Sequence, residues 1–466
     1  MVSHRVAGAP LDFAAVRAEL AVPGDFTSAV LDEAADAARR PLPSRRDATD
    51  IPFVTVDPAG SKDLDQAAHL ARTDDGYLVS YAIADVAAFV TPGGQLDDEA
   101  QRRGETLYFP DARVPLYPAV LSEGAASLLP DQVRPAVLWQ IALDDEGNAR
   151  HVDVQRALVR SRAQLDYVTV QRQLDEGTLP DALTQLGEIG RKRLQLARSR
   201  HAINLDLPEQ DVDTNDGSVR LVVRKPLPVE QFNAELSLLT GMAAARIMLA
   251  HEIGILRTLP EPDAHAVASL RRAALALGVN WPEHAHAGDV LAALDHGNPH
   301  DVALLEHATT LLRGAGYTAF AGAQPSARMH AGIGAPYAHV TAPLRRLVDR
   351  YATEICVAVQ SGEPVPDWVR ERMTTLPDVM QAADHRAHEI DRAVVDATEA
   401  WLLRDRVGER FHAVVLDSDE HAATVMLDDP PVRARCTGEK LQAGDRITVQ
   451  LTQADVATRT VKFQSE

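Results

Sequence analysis

The stretch Phe53-Val54-Thr55-Val56-Asp57-Pro58-Ala59-Gly60-Ser61-Lys62-Asp63-Leu64-Asp65-Gln66 opens with alternating positions rich in β-branched residues, the pattern of a buried strand. Pro58 and Gly60 then break that strand into a tight loop. Asp57 therefore stands at a strand end, facing Asp63 and Asp65 in the loop that follows. Hard divalent cations take oxygen ligands, commonly a few carboxylates with the remaining positions left to water and substrate phosphate, so this is the composition of a metal cradle. It is equally the composition of a solvated acidic turn, because Asp, Pro and Gly are what turns use.

At 466 residues the chain is long enough for a large core and about two to four domains. Its 45% hydrophobic and 24% charged residues are ordinary for a soluble globular protein. No apolar run approaches the roughly 18 residues of a membrane span and the N-terminus lacks a secretory pattern, so a cytoplasmic location and no membrane partner are expected. Cys356 and Cys436 are the only cysteines and fall in separate expected units, which argues against a disulfide framework or a cysteine zinc site. The net charge of −20 argues against a generally basic nucleic-acid-binding surface. Arginines nevertheless gather at 191–200 and 328–350, so a basic interior inside an acidic shell competes with ordinary charged helix faces.

Along the chain, Leu11 to Leu20 and Phe26 to Arg40 have apolar positions at helical spacing, and the pair is either a helix-turn-helix or a packed helical hairpin. Pro41 to Asp50 reads as a linker. From Ile51 to about Asp144 the pattern is mostly strand, with Tyr77 to Asp85 the clearest, and Val154 to Arg160 is a further strand. Helices are expected at Glu230 to Ala250, Asp301 to Gly314 and Val395 to Arg406. Short strands return at Phe411 to Leu416, Ala423 to Leu427, Arg446 to Leu451 and Thr460 to Phe463, the pattern of a small OB-type barrel that binds single strands. The expected units are 1–50, helical; 51–406, the catalytic body; and 407–466, the barrel.

The 53–66 stretch resembles the signature of the ribonuclease II (RNB) family of 3′→5′ exoribonucleases, in which a strand ends in Asp-Pro and a loop supplies three further Asp residues. Asp57, Asp63 and Asp65 match three of those four positions, and Gln66 stands at the fourth. Ile83-Ala84-Asp85-Val86, Arg103-Gly104-Glu105-Thr106-Leu107-Tyr108-Phe109-Pro110, Pro115-Leu116-Tyr117-Pro118, Ser127-Leu128-Leu129-Pro130 and Ser161 to Tyr167 follow the family pattern in order. His339-Val340-Thr341-Ala342-Pro343-Leu344-Arg345-Arg346-Leu347-Val348-Asp349 resembles the family's second block, with Ala342 in place of the usual Ser. Gly408 to Phe411 and Gly444 to Ile447 resemble an S1 RNA-binding domain.

The resemblance implies an α+β fold: an RNB body with a mixed sheet and helices around a channel, a short N-terminal helical domain and a C-terminal S1/OB barrel. It implies hydrolysis of single-stranded RNA, processively from the 3′ end to nucleoside 5′-monophosphates, by a chain expected to be a monomer. The cofactor expected is Mg²⁺, one or two ions, with Mn²⁺ as a substitute, held by Asp57, Asp63, Asp65 and Gln66. Asp65 and Arg345 would be catalytic, the planar guanidinium being suited to charge growing on phosphate oxygens. RNA contacts are expected from Tyr108, which would stack on a base, Glu235 at the terminal ribose, His339 and Arg346. A second stacking aromatic is missing, since Ala202 to Leu205 offers only Leu205. The family's relatives usually carry two cold-shock barrels before the body, and the fifty residues here are too few and too helical for even one, so a more open RNA entrance is expected. Gln66, Ala342 and the acidic charge also suit an RNA-binding protein with an impaired active site.

Overall fold

The structure, a computed structural model, describes residues 11–203, 205, 209–213, 220–224, 226–295, 298–418, 422–439 and 441–465. Helices α1 (Ala14–Glu19) and α2 (Ser28–Arg39) come first. Thr27 starts α2 by accepting the Val30 N–H on its hydroxyl, and the stripe Val30, Ala34 and Ala37 enters the main core. The first ten residues of the expected N-terminal unit lie outside the described residues.

A ring of strands follows: β1 (Arg46–Asp47), β2 (Phe53–Asp57), β3 (Gln66–Thr73), β4 (Gly76–Ala84), and, after α3 (Gln95–Arg103) and the short pair β5 (Leu107–Tyr108) and β6 (Arg113–Val114), β7 (Val133–Leu143) and β8 (Ala149–Asp166). The order is β1-β8-β2-β3-β4-β7, and β7 also pairs with β8, which closes the ring. The length of β8 makes the closure possible. Its first part lies antiparallel to β7 and its last residues run parallel to β2, so that Asp57 stands opposite Asp166. The expected strand at Val154 to Arg160 is the middle of this longer one; polar residues along it, among them Arg156, Arg160, Ser161, Arg162 and Gln164, hide its extent from a hydrophobicity reading.

Helices α4 (Tyr167–Glu176) and α5 (Leu186–Ser199) lead to the hairpin β9 (Glu209–Asp213) and β10 (Arg220–Arg224), then to α6 (Pro228–Ala250). β11 (Ile253–Thr258), α7 (Ala264–Ala276), α8 (Ala287–Leu291), α9 (Pro299–Ala308) and β12 (Gly316–Ala321) come next, and β12 pairs with β11. α10 (Leu347–Gln360), α11 (Asp367–Met373) and α12 (Leu376–Leu403) complete the helical part. The helix expected at Val395 to Arg406 is the end of α12, whose charged residues interrupt its apolar pattern. α6 and α10 pack on the ring and share one core with it through Leu236, Leu239, Leu347 and Tyr351.

The C-terminal segment forms a closed barrel of β13 (Arg410–Ser418), β14 (Ala422–Leu427), β15 (Arg433–Thr437), β16 (Arg446–Asp455) and β17 (Thr460–Ser465). β15 went unread in the sequence because Arg433 and Arg435 take its outward positions; Ala434 and Cys436 alternate inward. The mixed α/β body and closing barrel agree with the expected architecture. No helix among the described residues is long and apolar enough to cross a membrane.

Candidate active site

The acidic loop is pinned by one serine. Ser127 Oγ accepts the Leu64 N–H at 2.9 Å and donates to the Lys62 carbonyl at 2.7 Å, while the Leu128 N–H donates to the Leu64 carbonyl at 3.0 Å. Leu64 is thereby drawn wholly into the core. Its neighbours differ in their partners, Asp63 meeting Arg113 and Asp65 meeting the Leu344 N–H. The Ser61 N–H closes the turn onto the Pro58 carbonyl, where Gly60 has φ +84°, a conformation glycine adopts without strain.

The segment 341–349 meets this loop from 279 residues away: the Leu344 N–H donates to Asp65 Oδ1 at 2.7 Å. That bond leaves Arg345 Nε 3.5 Å from Asp65 Oδ2. Fully buried Asp349 anchors the segment, accepting the Ala342 N–H at 2.6 Å and both Nε and Nη2 of Arg346 at 2.9 Å. A backbone ladder grips it from the other side, with the Thr106 N–H on the Arg345 carbonyl and the Leu347 N–H on the Gly104 carbonyl, both at 2.9 Å. Gly104 is required there: its φ is +74°, and a Cβ would lie 2.6 Å from that of Ala383. Two residues further on, Tyr108 is 49% exposed with its hydroxyl 3.4 Å from Asp63 Oδ2.

Burial pushes the Asp57 carboxyl up to about 6 and the Asp65 carboxyl up to about 8, in both cases against the pull of Arg345. Asp57 Oδ2 is buried with no hydrogen-bond partner. An oxygen-only donor set of this kind, with an orphaned carboxylate oxygen and two carboxyls short of counter-charge, fits a hard cation. As it stands, no group of three His, Cys, Asp or Glu among the described residues is gathered closely enough to hold one. The reason is visible in Asp63, which the Arg113 guanidinium draws to 2.6 Å, and in Asp65, which shares Oδ1 with the Leu344 N–H.

Four expected site residues make contacts within the protein. Gln66 is engaged at both ends of its amide, Nε2 donating to the Thr341 carbonyl at 2.6 Å and Oε1 accepting from the Tyr81 hydroxyl at 2.9 Å, so it bridges β3 to the Arg345 segment and does not stand free as a ligand. Arg346 binds Asp349 through Nε and Nη2, a buried carboxylate satisfying two of its donors at once. His339 binds the Tyr317 hydroxyl at 2.8 Å and packs edge-on against Tyr317 and Tyr337; burial, reinforced by Arg346 and Arg257, holds it well below its usual range and neutral. Glu235 is 3% exposed and faces Arg193 of α5. Residues 233 and 237 of α6 point to the acidic site, and position 235 lies about 200° round the helix from either. Leu205 is buried in a cluster with Leu270 and Leu304, far from a stacking role.

Residues to which the sequence reading gave no role stand beside these groups. The Asn233 side chain donates to the Tyr167 hydroxyl at 3.3 Å, and Ser237 Oγ lies 3.0 Å from the Tyr81 hydroxyl that holds Gln66. Tyr167 starts α4 directly after Asp166, the register partner of Asp57, and the Asp57 charge helps raise its phenol after burial. Only the parallel β2–β8 pairing reveals this neighbour, and periodicity does not predict such a pairing.

Residues 45–361 match the RNB domain family, and residues 409–466 match the RNase II-type exonuclease C-terminal S1 domain. The exosome complex exonuclease RRP44 homolog A of Arabidopsis thaliana is 29% identical over 396 residues, 80% of this chain and 42% of that protein. Ribonuclease R of Escherichia coli is 25% identical over 470 residues, 90% of this chain and 57% of that protein. The chain thus spans about half the length of these curated relatives. Among solved structures, the apo form of Mycoplasma genitalium RNase R superposes with a TM-score of 0.86 at 19% identity, over 97% of this chain and 77% of that one. Yeast Ssd1, a pseudonuclease, superposes at 0.72 with 18% identity, over 89% of this chain and 54% of that one. With the RNB domain matching 45–361, and the ring, acidic loop and arginine segment built as described, the chain belongs to the RNB domain family.

Proposed function

We propose that the protein is a 3′→5′ exoribonuclease that hydrolyses single-stranded RNA to nucleoside 5′-monophosphates. The observation that carries this reading is the Leu344–Asp65 hydrogen bond, which brings a half-exposed guanidinium beside the acidic loop. The RNase R structures solved with single-stranded and with double-stranded RNA share the fold.

Each residue has a task in that reaction. Tyr108 offers an open ring face to a base; stacking there is worth about 1–3 kcal/mol and tolerates any sequence. Arg345, whose side chain is 47% exposed, binds a non-bridging phosphate oxygen and stabilises the charge that grows on it. The Asp65–Leu344 bond fixes the backbone of the residue next to Arg345, so the guanidinium and carboxylate keep their spacing as RNA enters. Asp57, Asp65 and Asp63, once released from Arg113, would hold Mg²⁺. Bound there, the ion supplies Lewis-acid activation at the scissile phosphodiester. Gln66, through Thr341, keeps the arginine segment against β3.

A 5′-labelled RNA of about 30 nucleotides, incubated with Mg²⁺ or EDTA beside the Asp65→Asn variant, tests the reading. A descending ladder abolished by EDTA and by the substitution is expected. Intact RNA in every lane with binding retained would leave an RNA-binding protein without catalysis.

A further inference from the structure

Four arginines, Arg193, Arg200, Arg246 and Arg328, line a cavity of about 700 Å³ on the side of α6 turned away from the acidic loop. Leu239, Met242 and Arg246 face it at helical spacing, and Leu239 is about 200° round from Ser237. Met329 and Pro336 add further apolar surface to its lining.

The cations are poorly matched by acids. Arg193 is 4% exposed; its Nη1 donates to the Gly147 carbonyl at 3.1 Å, but its Nε is 3.8 Å from Glu235 Oε2, and neither of those atoms has a hydrogen-bond partner. Among the described residues, Arg200 hydrogen-bonds the Ile333 carbonyl, through Nε at 3.4 Å, and Arg328 the neutral Gln324 amide at 3.0 Å. Arg246 has no hydrogen-bond or ion-pair partner among the described residues. Among the described residues, Glu235 is the carboxylate found beside these guanidinium groups, 3.8 Å from Arg193, in a chain whose net charge is −20. Burial lowers Arg193 to about 10 and lowers Arg200 too, as expected of cations packed without enough counter-charge.

We propose that this cavity binds a nucleoside 5′-monophosphate, its phosphate held by the arginines and its base laid on the Leu239, Met242 and Met329 wall. Planar guanidinium groups grip phosphate through paired hydrogen bonds and stack on base planes, and the volume is that of a small-molecule site. The identity of the ligand rests on the proposed reaction, which releases that product; the anion site itself rests on the arginines.

Equilibrium dialysis of radiolabelled AMP against the full chain in EDTA tests it. Saturable binding is expected, unchanged in Asp65→Asn, weakened at least about tenfold in Arg246→Glu and not displaced by adenosine, which lacks the phosphate. Arg246 is exposed at its outer end, so the variant should fold, which thermal melting checks; Arg328→Glu is the second variant and should weaken binding likewise. The proposal is overturned by absence of saturable binding, by loss in Asp65→Asn with retention in both arginine variants, or by equal competition from adenosine. RNA hydrolysis is assayed in parallel. AMP binding without hydrolysis upholds the site while removing the proposed reaction, and hydrolysis without AMP binding removes the site alone.

Discussion

Replacing Gln66 with Glu changes one atom's chemistry and nothing of the side chain's shape. It exchanges the Nε2 donor, 2.6 Å from the Thr341 carbonyl, for an oxygen. Ionised, that oxygen repels the carbonyl and leaves a buried acceptor unpaired, at a cost of about 1–3 kcal/mol. The Tyr81 hydroxyl still donates to the other oxygen, so the loss is confined to the Thr341 side. Since the fold disfavours the ionised form, the introduced carboxyl has a folded pKa above its unfolded value of about 4.3, by about one to two units for that cost. The native state then binds the proton more tightly than the unfolded state, and stability falls as pH rises between the two values. Protonated, the carboxyl donates to Thr341 and the bridge returns. Urea unfolding in EDTA should therefore show a deficit of about 1–3 kcal/mol against wild type at pH 8, with about half of it recovered at pH 5 and most of it at pH 4. Hydrolysis at pH 8 should fall about tenfold or more as the Arg345 segment loosens. A variant as stable as wild type at pH 8 that binds divalent cations more tightly would refute the bridge and return position 66 to the ligands.

Arg345→Ala should fold normally and lose about 10²–10³-fold in RNA hydrolysis, whereas Asp349→Ala should lower stability by about 3–5 kcal/mol in urea because it strands the Arg346 charge and the Ala342 N–H. In EDTA, Asp65→Asn should raise the melting temperature more at pH 9 than at pH 6: with a folded value of about 8, the native carboxyl costs stability as pH climbs from its unfolded range through 8, and Asn removes that cost. Ser127→Ala, which frees the Leu64 N–H and the Lys62 carbonyl, should cost about 1–3 kcal/mol and slow hydrolysis, measured by urea unfolding and the RNA ladder. Tyr108→Ala should raise the KM for RNA by about 5- to 150-fold and leave melting unchanged.

The acidic loop and the arginine segment were legible because each is a short local pattern whose residues act near one another in sequence. The ring was legible in β2, in β4 and in the middle of β8 but not in its other strands or its closure, which depends on β8 changing partners partway along, a property of pairing and not of composition. The intramolecular partners of Glu235, Arg346 and His339 escaped the sequence for a common reason: sequence order does not say which way a helix face turns or which buried acid waits for a guanidinium. On α6 a two-residue offset separates the acidic site from the arginine cavity. Gln66 was read as a weakened ligand because its position was known and its partners, Tyr81 and a carbonyl 275 residues away, were not.

The ladder between Gly104–Thr106 and Arg345–Leu347 makes Tyr108 and Arg345 parts of a single rigid gauge. Its two jaws, one for a base and one for a phosphate, are spaced by main-chain bonds, which side-chain replacement does not move. In the proposed reaction the length of RNA measured off at each cut is therefore a property of the backbone: substituting either jaw changes grip and rate, while the step stays at one nucleotide.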